Sequence, residues 1–328
     1  MPGKTELNSK RRRVEAVTIG ETMIMFAPPP FQLIENSNTF IAMLGGAETN
    51  VSIGLERLGM HSGWISKLVD NALGRKILNT MRNYGVDVSR VILTDKGRVG
   101  LFFVEFGADP RPLKTIYDRA GSAFTTLRPE EIDWEYVGQA EVLHQTGITP
   151  ALSECCRELT IKAAEKAREM GVKTSFDVNY RSLLWSPDEA RRCLDKILPN
   201  IDILISTWRD ANILLNDDLP PEEAALKLKK EYGSEVVVIT LGDKGSIART
   251  TRIFRGRPHP LREVNPLGAG DAFAAGFIYG YLRRDVQTGL EYGSAMAALK
   301  ITLPVNIPVI EREDVERLIR GEKIKINR

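Results

Sequence analysis

A carboxylate closes the small-residue run Gly268-Ala269-Gly270-Asp271, which leads straight into Ala272-Phe273-Ala274-Ala275-Gly276-Phe277-Ile278. Low polarity on every side predicts a buried helix whose first turn begins near the second glycine. The first amides of a helix lack internal partners, and the aligned peptide dipoles leave partial positive charge there, which suits a phosphate. An Asp at that end competes with phosphate for the same field, yet it can take the proton from a hydroxyl nucleophile. The combination points to phosphoryl transfer onto an alcohol. The alternative is a tight turn with Asp271 as an ordinary helix cap. Other nucleotide signatures fit less well. No segment has the Walker A pattern, and Phe273 stands where a dinucleotide fingerprint needs a small residue.

Two further clusters could read hydroxyls and acids. Gly45-Gly46-Ala47-Glu48-Thr49-Asn50 precedes a helix expected from about Val51 to Leu58 and ended by Gly59. Paired glycines permit close backbone approach to a ligand, and Asn50 offers a donor and an acceptor to sugar-like hydroxyls. Asp177-Val178-Asn179-Tyr180-Arg181 ends a buried strand, where Arg181 can fork onto a carboxylate or phosphate and Asn179 can hold a hydroxyl or a phosphate water. The plainer readings are a turn with its cap for the first cluster and surface solvation for the second.

The elements that must position these residues alternate. Apolar runs predict strands at Val14–Ile19, Val142–Gln145, Val172–Asp177, Ile201–Ile205 and Val236–Leu241. Amphipathic runs predict helices at Ser153–Met170, Pro187–Leu198, Pro221–Tyr232 and Glu313–Arg320. Together they imply a three-layer α/β fold, with a mostly parallel central sheet covered by helices on both faces. Such sheets bind ligands beyond the carboxyl ends of their strands. Thr22–Met43, broken by Pro28-Pro29-Pro30, and Arg98–Asp118 depart from the pattern. In the second, Val99–Phe106 and Leu113–Tyr117 read as antiparallel strands around Asp109-Pro110, and the two segments could pair into a small β lid.

Composition narrows the classes. The 328 residues are 43% hydrophobic with a formal net charge of +2, which gives no support for nucleic-acid binding. Lys10-Arg11-Arg12-Arg13 reads as the end of a solvated, flexible basic tail spanning residues 1–13. No apolar run reaches membrane-spanning length and the polar start is unlike a secretory signal, so a cytoplasmic protein is expected. Cys155, Cys156 and Cys193 lack metal-ligand spacing, and His61, His144 and His259 are too few for a histidine-based metal site.

Taken in order and spacing, Gly20-Glu21, Gly45-Gly46 to Asn50 with Leu58-Gly59, Asp177-x-Asn179-x-Arg181, Thr240-Leu241-Gly242-Asp243-Lys244-Gly245 and Gly268-Ala269-Gly270-Asp271 resemble the PfkB or ribokinase-like carbohydrate kinases over nearly the whole chain. Tyr117-Asp118-Arg119-Ala120-Gly121-Ser122-Ala123 and Asn179-Tyr180-Arg181-Ser182-Leu183-Leu184-Trp185 are similar to the 2-keto-3-deoxygluconate kinases within that family. The resemblance implies a ribokinase-like domain over residues 14–328, with lid segments at about 22–43 and 98–118, using ATP and Mg2+. It implies an acceptor site of Gly45, Gly46, Asn50, Phe103, Tyr117, Arg119, Arg181 and Asp271. It implies a nucleotide site of Asn179, Ser206, Thr240, Gly242, Lys244, Gly245, Gly268 and Gly270. Asp271 would be the base, the Gly268, Ala269 and Gly270 backbone the anion hole, and the product a 6-phosphate.

A sugar acid fits physically, because its carboxylate needs paired positive charge, and Arg119 from the lid and Arg181 from the sheet could converge on it. A lid-surface salt bridge is the alternative role for Arg119. Many relatives have Asp in place of Asn265 and Thr in place of Leu267, which puts activation by a monovalent cation in doubt. The family's metal-associated element stands here as Thr207-Trp208-Arg209-Asp210, so Asp210 is an indirect metal ligand through water and Trp208 a packing residue. Unpaired lid edges imply a homo-oligomer. A kinase of a neutral sugar such as fructose or ribose, or a non-catalytic sugar or nucleotide sensor, is the competing reading. The motifs do not separate gluconate-derived from galactonate-derived acceptors.

Overall fold

A computed structural model describes residues 13–30, 32–107 and 111–322. The basic run at 10–12 and the Asp109-Pro110 turn lie outside the described residues. Arg13, grouped above with the tail, is anchored, since its Nε donates to the Gln139 carbonyl at 3.0 Å.

In chain order the strands are β1 (Ala16–Ile19), β2 (Met23–Ala27), β3 (Ile41–Gly45), β4 (Ser62–Ile65), β5 (Lys67–Val69), β6 (Ile92–Thr94) and β7 (Leu101–Glu105). They continue as β8 (Lys114–Asp118), β9 (Val142–Thr146), β10 (Lys173–Asp177), β11 (Ile203–Thr207), β12 (Val236–Thr240), β13 (Ser246–Arg249) and β14 (Ile253–Gly256). The helices are α1 (Ala47–Arg57), α2 (Ala72–Asn83), α3 (Trp134–Gly138), α4 (Glu154–Glu169) and α5 (Pro187–Ile197). After these come α6 (Trp208–Leu215), α7 (Pro221–Tyr232), α8 (Ala269–Arg283), α9 (Val286–Ile301) and α10 (Arg312–Ile319).

The central sheet runs β14-β13-β12-β11-β10-β9-β1-β4. It is parallel from β4 to β12 and antiparallel at β13 and β14. Strand alternation sorts its apolar side chains onto two faces. Ile203, Ile205, Val236 and Val238 pack beneath α8 and α9, while Phe176, Leu204, Val237 and Ile239 pack against α5, α6 and α7. Burial on both faces explains why these strands read as continuous apolar runs. The expected three-layer architecture is what the chain adopts. Two parts of it escaped the sequence: the edge strand β4, whose Ser62-Gly63-Trp64-Ile65 lacks β-branched density, and the antiparallel hairpin β13 to β14.

A separate sheet, β3-β2-β7-β8, is built from the two segments that broke the alternation. β2 is antiparallel to β3 and β7 to β8, and β2 joins β7 in parallel. α1 begins at Ala47 rather than near Val51, so Glu48, Thr49 and Asn50 lie on its first turn. Gly46, extended at φ −168°, is its N-cap.

Several helix starts are local in origin. Ser186 and Glu189 form a capping box around Pro187 at α5, Ser153 caps α4 and Asn71 caps α2. α8 differs, because tertiary packing fixes it. A side chain at Gly276 would meet the Tyr292 carbonyl at 2.5 Å, so glycine is what lets α8 and α9 lie against each other. Nothing stands within 4 Å of the corresponding position at Gly270. Gly276→Val is therefore expected to lose about 1–3 kcal/mol from overpacking. Gly270→Ala should unfold at the wild-type midpoint, and urea denaturation of the two variants side by side checks the contrast.

Candidate active site

The carboxyl ends of the parallel strands and the amino ends of α1 and α8 meet at one place. The register aligns Asp177 with Thr146 and with Ile205, and Thr207 with Thr240, so the ends of β9, β10, β11 and β12 form one rim. Gly268, at φ +83°, turns the chain into α8, and a side chain there would run into the Asn306 carbonyl. The amide of Ala269 is bonded to the Pro266 carbonyl at 3.2 Å. Those of Gly268, Gly270 and Asp271 find no acceptor among the described residues. Unpaired amides at a helix start are donors waiting for an anion.

Asp271 lies on the first turn of α8 with only 9% of its surface exposed. Asn50 Nδ2 donates to its Oδ2 at 2.7 Å, joining the first turns of α1 and α8 across 221 residues. Burial pushes the Asp271 carboxyl up to about 6, against the Asn50 hydrogen bond and the positive charges of Arg181 and Lys300. Asp177 is pushed up to about 8 by burial, then by the nearby Asp271 and Asp210 carboxylates, with Arg181 and the Asn179 amide opposing. Glu48 rises to about 7 through burial, opposed by the Thr149 and Thr146 hydroxyls, which both donate to its Oε1 at 2.8 Å. Asp210 is raised by burial, and it accepts the Tyr180 amide at 3.3 Å.

Asp271, Asn50, Glu48, Thr149 and Asp210 border a cavity of about 650 Å³. Gly45, Gly46, Asn50, Tyr117, Arg119, Arg181, Gly268, Asp271 and Asp210 all line it. Phe103 does not. Alternation along β7 turns it to the opposite face, where it stacks on Phe26 at 5.6 Å, and Phe102 lines the cavity instead, stacked on its register partner Tyr117. Asn179, Ser206, Thr240, Gly242, Lys244 and Gly245 also lie off the cavity wall. They cluster after β10, β11 and β12, where Gly242 and Lys244 are exposed and the buried Ser206 donates to the Thr207 carbonyl at 2.9 Å.

The paired glycines on the cavity wall also have a packing reason. A side chain at Gly45 would strike the Phe102 ring, and one at Gly46 would meet the Glu21 carbonyl at 2.5 Å. The protein itself fills that space. Arg119 is likewise occupied: Nε donates to Glu21 Oε2 at 2.9 Å and Nη2 pairs with the same oxygen, in a bridge whose side chains are 12% and 3% exposed. Arg181 remains exposed on the rim, near Arg209, which the sequence reading passed over beside Asp210. Glu48, Thr149, Phe102, Arg209 and Asn306 are cavity residues that motif reading missed. Only Phe102 had a usable signal, the alternation of β7 opposite Tyr117. Trp208 is 38% exposed and bonded through Nε1 to the Leu219 carbonyl at 2.7 Å.

Residues 14–308 match the pfkB family of carbohydrate kinases. The chain belongs to that family. The kinase is 39% identical over 316 residues to a 2-dehydro-3-deoxygalactonokinase of Haloferax volcanii, covering 96% of this chain and 99% of that protein. It is 31% identical over 326 residues to a 5-dehydro-2-deoxygluconokinase of Clostridium perfringens, covering 96% and 95%. The crystal structure of a 2-dehydro-3-deoxygluconokinase from Thermotoga maritima superposes with a TM-score of 0.89 at 30% identity, covering 94% of this chain and 99% of that one. The protein is thus a carbohydrate kinase with a ribokinase-like fold. Among the described residues of this kinase no helix is long and apolar enough to cross a membrane.

The Glu21–Arg119 bridge ties the small sheet of the kinase to the end of β1, and removing Arg119 leaves the buried Glu21 charge alone. Arg119→Ala is expected to lower stability by about 3 kcal/mol. The double replacement Glu21→Met with Arg119→Met should recover most of that loss, as read from chemical denaturation midpoints.

Proposed function

We propose that this kinase transfers the γ-phosphoryl group of ATP to the 6-hydroxyl of 2-keto-3-deoxygluconate or its galactonate epimer. The observation that carries the reading is the buried Asp271 carboxylate, fixed by Asn50 beside the unpaired amides of Gly268, Gly270 and Asp271. Asn50 occupies Oδ2 and leaves Oδ1 to take the proton of the acceptor hydroxyl. A pKa of about 6 keeps Asp271 ionised at neutral pH while leaving it basic enough to accept that proton. The three amides stabilise charge on the equatorial oxygens of the migrating group, the main electrostatic demand of a loose phosphoryl-transfer transition state.

Thr240, Gly242, Lys244 and Gly245 would flank the nucleotide beyond β12, with Asn179 and Ser206 on the neighbouring strand ends. Mg2+ entering with ATP would neutralise phosphate oxygens. Asp210, with Asp177 beside it, supplies the hard oxygen donors that such an ion takes through water.

The three named relatives act on keto-deoxy sugar acids, which supports an acceptor carrying a carboxylate. Arg181 is the cation suited to it, with Arg209 alongside, because Arg119 is already paired with Glu21. Tyr117 and Phe102 supply an apolar wall. That same pairing of Arg119 favours one competing reading, a neutral-sugar kinase, since it removes one of two cations from the acceptor site. ADP release measured across 2-keto-3-deoxygluconate, 2-keto-3-deoxygalactonate, 5-keto-2-deoxygluconate, fructose and ribose separates them, and preference for fructose or ribose rejects the sugar-acid assignment.

The β3-β2-β7-β8 sheet closes over the acceptor as a lid, and its outer face holds the chain in a homo-oligomer. Ile116 is 56% exposed there, and β8 offers an unpaired edge. Ile116→Glu should convert the oligomer to monomers in light scattering; a wild-type mass equal to one chain rules the assembly out.

Three outcomes follow for the chemistry. Asp271→Asn should fold normally and lose roughly 10²–10⁴ in kcat, the span of general-base catalysis. For wild type, kcat/KM for the acceptor should fall tenfold per pH unit below about 6 and level off above 7, because the base works only when ionised. Arg181→Met should raise KM for the acid acceptor at least tenfold, and a wild-type KM there removes Arg181 from the site.

A further inference from the structure

Lys300, near the end of α9, is fully buried, and its side chain makes no ion pair among the described residues. Its Nζ donates to the carbonyl of Asn265 at 2.8 Å. A buried ammonium without a carboxylate partner is costly, and a methionine, one heavy atom shorter, would fill most of the same space without that cost. The charge therefore needs a reason beyond packing.

What surrounds it is the loop that delivers the anion-binding amides. Asn265 Oδ1 accepts the Leu267 amide at 3.0 Å, and Asn265 Nδ2 donates to Asn306 Oδ1 at 3.1 Å. Asn306 in turn packs its carbonyl against Gly268. Lys300 is thus bonded to the root of a short chain of contacts that sets where Gly268 and α8 begin. Its charge also reaches Asp271 through space. Asn265 is neutral, so nothing beside the ammonium cancels its field.

We propose that Lys300 is a built-in cation for the anion-binding loop, a positioning residue that holds the Asn265 to Gly268 turn and lends positive potential beneath the amino end of α8. The kinase then needs no monovalent metal ion from solution. This rests on the phosphoryl-transfer reading of Asp271 and its neighbouring amides.

The test starts with the wild-type enzyme, MgATP and whichever acceptor of the panel above turns over, so that a wrong acceptor is recognised before Lys300 is judged. In tetramethylammonium chloride and in potassium chloride of equal ionic strength, kcat and the calorimetric Kd for MgATP should agree within twofold. A tenfold rise of kcat with potassium overturns the proposal whatever the variant does. Lys300→Met should keep or raise the melting temperature, lose at least tenfold in kcat, and regain at least threefold on addition of ammonium chloride. A kcat within twofold of wild type overturns it, as does a loss of kcat that accompanies a lower melting temperature and does not respond to ammonium. If Lys300→Met does not fold, the potassium comparison on the wild-type enzyme decides alone.

Discussion

The hydrogen bond from Asn50 to Asp271 is the constraint on which the site depends. It holds together the amino ends of α1 and α8, elements separated by most of the chain, at the carboxyl edge of the parallel sheet. Two helix starts facing one point concentrate partial positive charge, which offsets part of the cost of burying a carboxylate there. The glycines follow from this convergence. Gly268 must turn at positive φ against Asn306, and Gly45 and Gly46 must leave room for Phe102 and the Glu21 backbone. Each removes a side chain that would push the two helices or the small sheet apart.

Around that point the protein keeps an unusual density of carboxyl groups. Glu48, Asp177, Asp210 and Asp271 are all raised by burial, and Asp177 also by the repulsion of its acidic neighbours. They are not equivalent. Glu48 is held by two threonine hydroxyls at the ends of the β9 region, which makes it a structural tie between α1 and the sheet. Asp210 is held by a backbone amide after β10. Asp271 stands beside the unpaired amides of the Gly268 turn, at the start of α8. Perturbed groups cluster where chemistry happens, and geometry separates the proposed base, Asp271, from the scaffolding around it.

Much of the fold was legible because burial on both faces writes β10, β11 and β12 as plain apolar runs, and because Ser153 and Ser186 announce their helices locally. The edge strand β4 was not, since its Ser-Gly-Trp-Ile owes its strand state to pairing with β1 rather than to propensity. The site divides in the same way. Asp271, Asn50 and Arg181 stood out because motif spacing records local backbone needs. The partner of Arg119 did not, because the bridge to Glu21 spans 98 residues and only the folded small sheet brings the two together. Sequence alone does not tell Phe102 from Phe103, because which of them faces Tyr117 depends on the register that the β7–β8 pairing supplies.

Lys300 shows why the remainder stays hidden. In sequence it is one lysine at the end of an apolar helix, where a solvent-facing side chain near the carboxyl terminus is the ordinary expectation. Only the packing of α9 beneath the loop at Asn265 turns that charge inward. The same packing explains why an amide rather than a carboxylate at 265 matters: an Asp there would neutralise the ammonium and weaken its influence on Asp271. The amino end of α8 is thus shaped from two sides, by Asn50 in front and by Lys300 behind, and the electrostatics around Asp271 depend on both.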